Sequence, residues 1–319
     1  MEEIEGEGID KKYYKKLVGQ TLPKLTKIQI TKKLYSYTLN EIIEDFENLK
    51  NIDCKNINNK SLQGRKFVDY FTAYERLNTK GRLGFSFFDF YLNFNDYYND
   101  KYYIRNSINS VFKGNFFKDK ENMLINLKSI YNLYYGNVGI FRPILTKEMI
   151  CKYKPKKMLD FTMGWGGRLV GACAENLESY IGIDLNTNLK PYYEKMVKLL
   201  NKLSSTNITL YFKNALEVDY SKLDYDFVLT SPPYYNIEIY NKNDVISKQE
   251  WNEQFYIPIF EKTYKYLKKG GIYCLNIPDY IYKDVAVKVL GKCINKHPLG
   301  KPKRLKSDLY SEYIYVWKK

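Results

Sequence analysis

From residue 139 onward, short apolar runs alternate with helical stretches, and this alternation constrains the fold more than any other feature of the chain. The runs KKMLDF, SYIGIDL, NITLYF, DFVLTS, GIYCLNI and YIYVW have the length and composition of strands. Between them lie GRLVGACAEN, the region Lys190–Lys202 and the long segment from Ser247 to Leu267, all of helical character. Ser247 and Glu250 have the spacing of a capping box, which marks a helix start. Strands separated by helices make βαβ units, so the expected class is α/β, a mainly parallel sheet flanked by helices.

The first part of the chain has a different texture. Residues 1–10 (MEEIEGEGID) read as a disordered acidic tail. From about Lys11 to residue 135, charged and apolar residues mix at helical spacing, and Thr38 with Glu41 forms a second capping-box pattern. The stretch FSFFDFYLNFNDYY (Phe85 to Tyr98) is densely aromatic, a density found more often in a core than in a base-stacking platform. With no repeat and no low-complexity linker, the boundary is set by texture alone. It gives a tail at 1–10, a mainly helical accessory domain at 11–135 and an α/β domain at 136–319.

Charge narrows the partner. The chain carries 51 Lys and Arg against 36 Asp and Glu, a formal net charge of +15. Such an excess favours a polyanion, because each neutralised phosphate releases a counterion. A codon bias toward Lys, Asn, Ile and Tyr would raise the same count, and the 33 tyrosines with it. The cysteines, Cys54, Cys151, Cys173, Cys274 and Cys293, are odd in number and show no CxxC spacing, so no disulfide framework is expected. A lone histidine, His297, makes a zinc site hard to assemble, and no metal is expected. No apolar run is long enough for a bilayer, and the N-terminus is not signal-like. An intracellular, reducing setting follows as an expectation.

Two motifs carry chemistry. In MLDFTMGWGGRLVGA an apolar strand ends at Asp160, and a turn bearing Gly164, Gly166 and Gly167 leads into a helix. About twenty residues on, a second strand ends at Asp184, where a carboxylate suits the two hydroxyls of a ribose. The glycines do not form GxGxxG, and an acid at the head of the turn would repel a pyrophosphate. The same acid can pair with the cationic end of S-adenosylmethionine. The second motif is Ser231-Pro232-Pro233-Tyr234, directly after the run DFVLT. Two prolines hold the chain rigid at the strand's carboxyl end, where open α/β sheets bind ligands. An exocyclic amine of a base is a poor nucleophile, its lone pair being delocalised into the ring. Acceptors at its two hydrogens, the Ser231 hydroxyl and the Pro232 carbonyl, would draw it toward a tetrahedral, reactive geometry. Tyr234 offers a flat face for an extruded base.

Together these motifs resemble the DNA amino-methyltransferases, which form N4-methylcytosine and N6-methyladenine. The resemblance covers about residues 136–319 and implies a Rossmann-like S-adenosylmethionine-dependent methyltransferase sheet. It implies that Asp160, Phe161, Thr162, Gly164 and Gly166 hold S-adenosylmethionine and that Asp184, followed by Leu185, meets its ribose. Asn214 and Ala215 would lie at the adenine, and Phe141 and Pro143 of IFRP beside the methionine moiety. Ser231, Pro232, Pro233 and Tyr234 would form the catalytic turn, methylating a flipped base. The chain departs from the family in having Phe161 where a proline is common, and in leaving little room for a recognition domain after the core. Residues 11–135 are therefore expected to read the DNA, with Arg65, Lys66, Arg76, Lys80 and Arg82 on its phosphates. A leading serine favours N4 of cytosine over N6 of adenine.

Other readings stay open at this point. An RNA methyltransferase could use the same fold, and a silent nucleic-acid-binding subunit could keep it. C5-cytosine methylation needs a thiolate after a proline, which is absent. A hydrolase is poorly supported, since His297 has no evident nucleophile partner. A homodimer or a partner subunit is compatible with all of these.

Overall fold

Six of the expected runs become strands. In the computed structural model they are β1 Lys157–Asp160, β2 Ser179–Asp184, β3 Asn207–Phe212, β4 Phe227–Thr230, β5 Ile272–Pro278 and β7 Glu312–Lys318. A further strand, β6 Asn295–Pro298, is polar and ends in proline, so nothing in its periodicity announces it. The structure describes residues 22–81, 84–100, 106, 123–134, 138–235, 247–299 and 312–319. The acidic tail, Arg82 and residues 236–246, which follow the SPPY turn, lie outside them.

The sheet order is β3-β2-β1-β4-β5-β7-β6. Strands β1 to β5 are parallel, while β7 runs antiparallel between β5 and β6. This is the Rossmann-like arrangement expected, and both faces are covered, as a parallel sheet requires. Successive residues of β4 go to opposite layers, Phe227 and Leu229 to one and Val228 to the other. The first layer holds the helices Pro143–Tyr153, Gly167–Ala174 and Lys190–Leu203. The second holds the helix Ile257–Tyr266 and residues 281–286. Strand order reverses between β1 and β4, so the loops leaving their carboxyl ends part and open a crevice there.

Two units emerge from the contacts within the chain. The larger contains the sheet and also residues 37–75, although the change of texture puts a boundary near 135. Within it the helix Leu39–Lys50 and the start of Arg65–Asn78 bury Ile42, Phe46, Leu49, Phe67 and Val68 in the first layer. Lys147 ties these pieces together, bonding the Lys50 carbonyl and pairing with Glu175. The capping boxes expected at Thr38 and Ser247 both form. The smaller unit has the helices Lys27–Leu34, Phe87–Leu92, Phe94–Asp100 and Met123–Tyr134. Its aromatic run is core: Phe85, Phe87 and Phe90 are buried around Tyr131, and Phe88 is buried as well. Arg76 is buried too, its guanidinium 5.6 Å from the centre of the Tyr35 ring.

The cysteine expectation is corrected. Cys54 and Cys151, 97 positions apart, form a disulfide in the larger unit, beside the Glu175 carboxylate. Spacing and parity say nothing about two thiols that packing alone brings together. Among the described residues no helix is long and apolar enough to cross a membrane.

Close packing fixes how the glycine turn meets IFRP. A Cβ on Gly167 would stand 1.9 Å from the Phe141 carbonyl oxygen, and one on Gly171 would stand 2.5 Å from that of Pro143. The helix Gly167–Ala174 thus lies against the backbone that leads into Pro143–Tyr153. Gly167→Ala must push the two apart, and it is expected to cost about 1–3 kcal/mol, the range of overpacked cores. A denaturant midpoint equal to that of the wild type would contradict this packing.

Candidate active site

The crevice brings the two motifs together. Asp160, at the end of β1, is fully buried. Its Oδ2 accepts from Arg168 Nε at 2.7 Å and from the Tyr180 hydroxyl at 2.8 Å; its Oδ1 accepts from the Thr230 hydroxyl at 2.8 Å. Thr230 ends β4, and its hydroxyl also lies 2.6 Å from that of Thr162. The residue before the SPPY turn is therefore bonded to both ends of the glycine turn's first segment. Asp160 is an internal node rather than an open carboxylate for a ligand's ammonium group, because three donors already fill it in a buried place. Burial opposes the charge on Arg168, and the Asp160 carboxylate more than offsets that, so the guanidinium is held above its ordinary range. Arg168 also bonds the Thr162 carbonyl and lies over the Phe141 ring, 5.1 Å from its centre. Sequence reasoning quoted Arg168 without seeing this role.

The remaining cofactor candidates divide by exposure. The Phe161 side chain is wholly buried in the second layer, which leaves only its backbone to the crevice. Gly164 has φ +56°, and a Cβ there would meet nothing closer than 3.9 Å, so its backbone borders open space. Gly166, at φ +89°, starts the helix Gly167–Ala174. Half-buried Asp184, at the end of β2, accepts from the Gly164 amide at 2.8 Å and from the Asn186 amide at 2.9 Å. Burial pushes its carboxyl up to about 6, even though those two amides favour the charged form. Leu185 beside it is 71% exposed. Asn214 caps the turn Ala215–Glu217 through the Leu216 amide, and Ala215 is buried. Pro143 is buried at the first position of its helix, with Phe141 half-buried ahead of it.

At the SPPY turn, Pro232 is buried and Ser231 half-buried. The Ser231 hydroxyl accepts from Asn276 Nδ2 at 2.9 Å and lies 3.1 Å from the Tyr234 hydroxyl. Tyr234 in turn donates to Glu312 Oε1 at 2.8 Å. Asn276 on β5 and Glu312 on β7 were not singled out from the sequence. The turn is also held from behind, since the Tyr256 hydroxyl accepts from the Tyr235 amide at 3.1 Å and bonds the Pro233 carbonyl. Tyr235 takes φ +49° and stacks on Tyr280. His297 pairs with Glu148 at 3.0 Å. Of the free cysteines, Cys173 and Cys274 are buried, and burial pushes the Cys173 thiol up to about 12. Neither suits attack as a thiolate.

No protein-family model matches the chain. Over 88 residues it is 40% identical to the Type II methyltransferase M.MjaVI of Methanocaldococcus jannaschii, a match covering 26% of this chain and 42% of that protein. The resemblance is to the DNA amino-methyltransferases. The chain spans less than half the length of this relative. Among solved structures, an rRNA methylase from Streptococcus thermophilus is 16% identical, with TM-score 0.38, covering 57% of this chain and 99% of that one. The M. jannaschii tRNA m1G37 methyltransferase is 15% identical, with TM-score 0.37, covering 55% and 48%. At such scores neither likeness carries an argument about substrate.

Proposed function

We propose that the chain is an S-adenosylmethionine-dependent methyltransferase that modifies an exocyclic amine of a DNA base, N4 of cytosine before N6 of adenine. The observation that carries this reading is the meeting of the glycine turn and SPPY at the β1/β4 crevice, through Thr230 and Asp160. When bound there, S-adenosylmethionine supplies an electrophilic methyl group. The open backbone at Gly164, the Asp184 carboxylate and exposed Leu185 fit its ribose and adenine, with Asn214 and Ala215 beyond. Thr162, Gly166, Phe141 and Pro143 border the methionine end, and Asp160 and the backbone at Phe161 shape the turn from below. Ser231 and the Pro232 carbonyl accept from the amine and fix its lone pair, while Pro233 and Tyr234 hold that geometry. Net charge +15 supports a polyanionic substrate, and residues 11–135 remain the proposed reader of its sequence.

Mass spectrometry of nucleosides from DNA and from RNA, each incubated with the protein and S-adenosylmethionine, tests the reading. N4-methylcytosine in the DNA digest is the expected result; N6-methyladenine would correct the base, and a modified nucleoside in RNA alone would overturn the substrate.

The Asp184 carboxyl gives a pH signature. Its ionised form accepts from both ribose hydroxyls, whereas the protonated form has lost one acceptor and a charge. With the group pushed up to about 6, affinity for S-adenosylmethionine should fall as pH drops through that value. The loss should approach tenfold per pH unit below it, the ordinary linkage for one proton. Isothermal titration of wild type and Asp184→Asn checks this. An affinity constant down to about pH 5, well below the folded-state value, would remove Asp184 from the ribose site.

A further inference from the structure

Methyl transfer to an amine leaves a proton to dispose of, and a hydrogen-bonded file leads away from Ser231. We propose that Ser231, Tyr234 and Glu312 form a proton relay from the target amine, with Glu312 as its terminal acceptor and Asn276 as its positioning residue. The inference rests on the methyltransferase reading. The distances are 3.1 Å from Ser231 Oγ to the Tyr234 hydroxyl and 2.8 Å from that hydroxyl to Glu312 Oε1. Both are hydrogen-bond distances.

The direction of the file follows from donor counting. The Tyr234 hydroxyl faces two acceptors, the Asn276 backbone carbonyl at 3.0 Å and Glu312 Oε1 at 2.8 Å, and the charged carboxylate, nearer and stronger, takes its proton. Tyr234 then has lone pairs for Ser231 and Asn276, and the Ser231 proton points toward Tyr234. Asn276 Nδ2 lies 2.9, 2.6 and 2.7 Å from Ser231 Oγ, the Tyr234 oxygen and Glu312 Oε1, which fixes its amide with nitrogen toward all three. Asn276 is 3% exposed, and its Oδ1 has no hydrogen-bond partner among the described residues. Leaving a buried acceptor unpaired costs free energy; here it is the consequence of committing the nitrogen to the relay. One lone pair of Ser231 Oγ is left for the amine.

The step balances. As the nitrogen–methyl bond forms and the sulfur–methyl bond breaks, the nitrogen holds one proton too many. That proton passes to Ser231 Oγ, the Ser231 proton passes to Tyr234, and the Tyr234 proton passes to the Glu312 carboxylate, which later releases it to solvent. Among the described residues, the titratable or charged groups on the elements packed around Glu312 include Tyr313 and Tyr315 on β7, Tyr280 and Asp279 beyond β5, Lys296 on β6, and the His297–Glu148 pair.

Single-turnover transfer of a tritiated methyl group to unmodified duplex DNA, followed across pH with S-adenosylmethionine saturating at every pH so that the Asp184 effect on affinity drops out, tests the relay. Wild type should slow as pH falls, when Glu312 is protonated. Glu312→Gln should lower the rate at neutral pH by at least about a hundredfold, the lower end for lost proton-transfer assistance, and flatten the acid limb. Glu312→Asp should restore part of the rate together with the limb. Tyr234→Phe breaks the file while leaving the Glu312 carboxylate in the chain, and it should flatten the limb in the same way. Affinity for S-adenosylmethionine and the melting temperature report folding, and both should stay near wild type in Glu312→Gln. A Gln variant that keeps the acid limb, with or without a slower rate, overturns the relay alone. A wild type inert on DNA overturns the relay together with the function on which it rests.

Discussion

Replacing Arg168 by methionine is expected to destabilise the protein by about 3–5 kcal/mol, the range for removing one partner of a buried ion pair. Asp160 is 0% exposed and cannot turn to water when its guanidinium goes. Tyr180 and Thr230 would still donate to it, but neither supplies charge. The same substitution frees the Thr162 carbonyl and the Phe141 ring, so the glycine turn loses its anchor as well as the core its counter-charge. Adding Asp160→Asn removes the stranded charge, and the double variant should recover part of the loss, since contacting residues do not add. Unfolding in guanidinium of the two single variants and the double variant is the measurement. A loss below about 1 kcal/mol for Arg168→Met, the size expected of an exposed pair, would mean that the pair does not hold the turn.

Ser231→Ala is expected to slow the chemical step about 10²–10³-fold, the usual loss when one preorganised hydrogen bond to a developing charge is removed. Its hydroxyl is not a free rotor, because Asn276 donates to it and Tyr234 lies within bonding distance. Alanine leaves the amine with the Pro232 carbonyl alone. The cofactor groups at Gly164 and Asp184 belong to a different edge of the crevice, so affinity for S-adenosylmethionine should not move. Single-turnover rates beside isothermal titration separate the two effects. An unchanged rate would take Ser231 out of the mechanism.

Much of the architecture was legible because buried parallel strands are apolar throughout, and DFVLTS permits little else. Strand β6 was not, since NKHP pairs through its backbone at the rim and buries little. At the site, the sequence marked the turns but not their supports. Asp160 looks the same whether it meets a ligand or a buried arginine, and only the fold brings Arg168, Tyr180 and Thr230 around it. Asn276 and Glu312 lie 45 and 81 positions beyond Ser231, inside strands whose neighbours are apolar, and the antiparallel pairing of β7 on β5 is what makes them adjacent. Tyr234 was legible as an aromatic ring, yet its bonded hydroxyl shows that it is held by its rim. The Cys54–Cys151 bond had no local signal at all.

The position of β1 and β4 at the reversal of strand order has a consequence for how such a chain can change. The proposed ribose and adenine contacts come from β1, β2 and β3, on one side of the seam. The groups proposed to meet the amine follow β4, and those behind them come from β5 and β7, on the other. The Thr230 hydroxyl joins the two sets at the crevice and β1 pairs with β4 along the seam, so a substitution away from those contacts in one half asks little of the other. A new target atom, or a new relay behind it, can be tried while the methyl donor's seat stays intact.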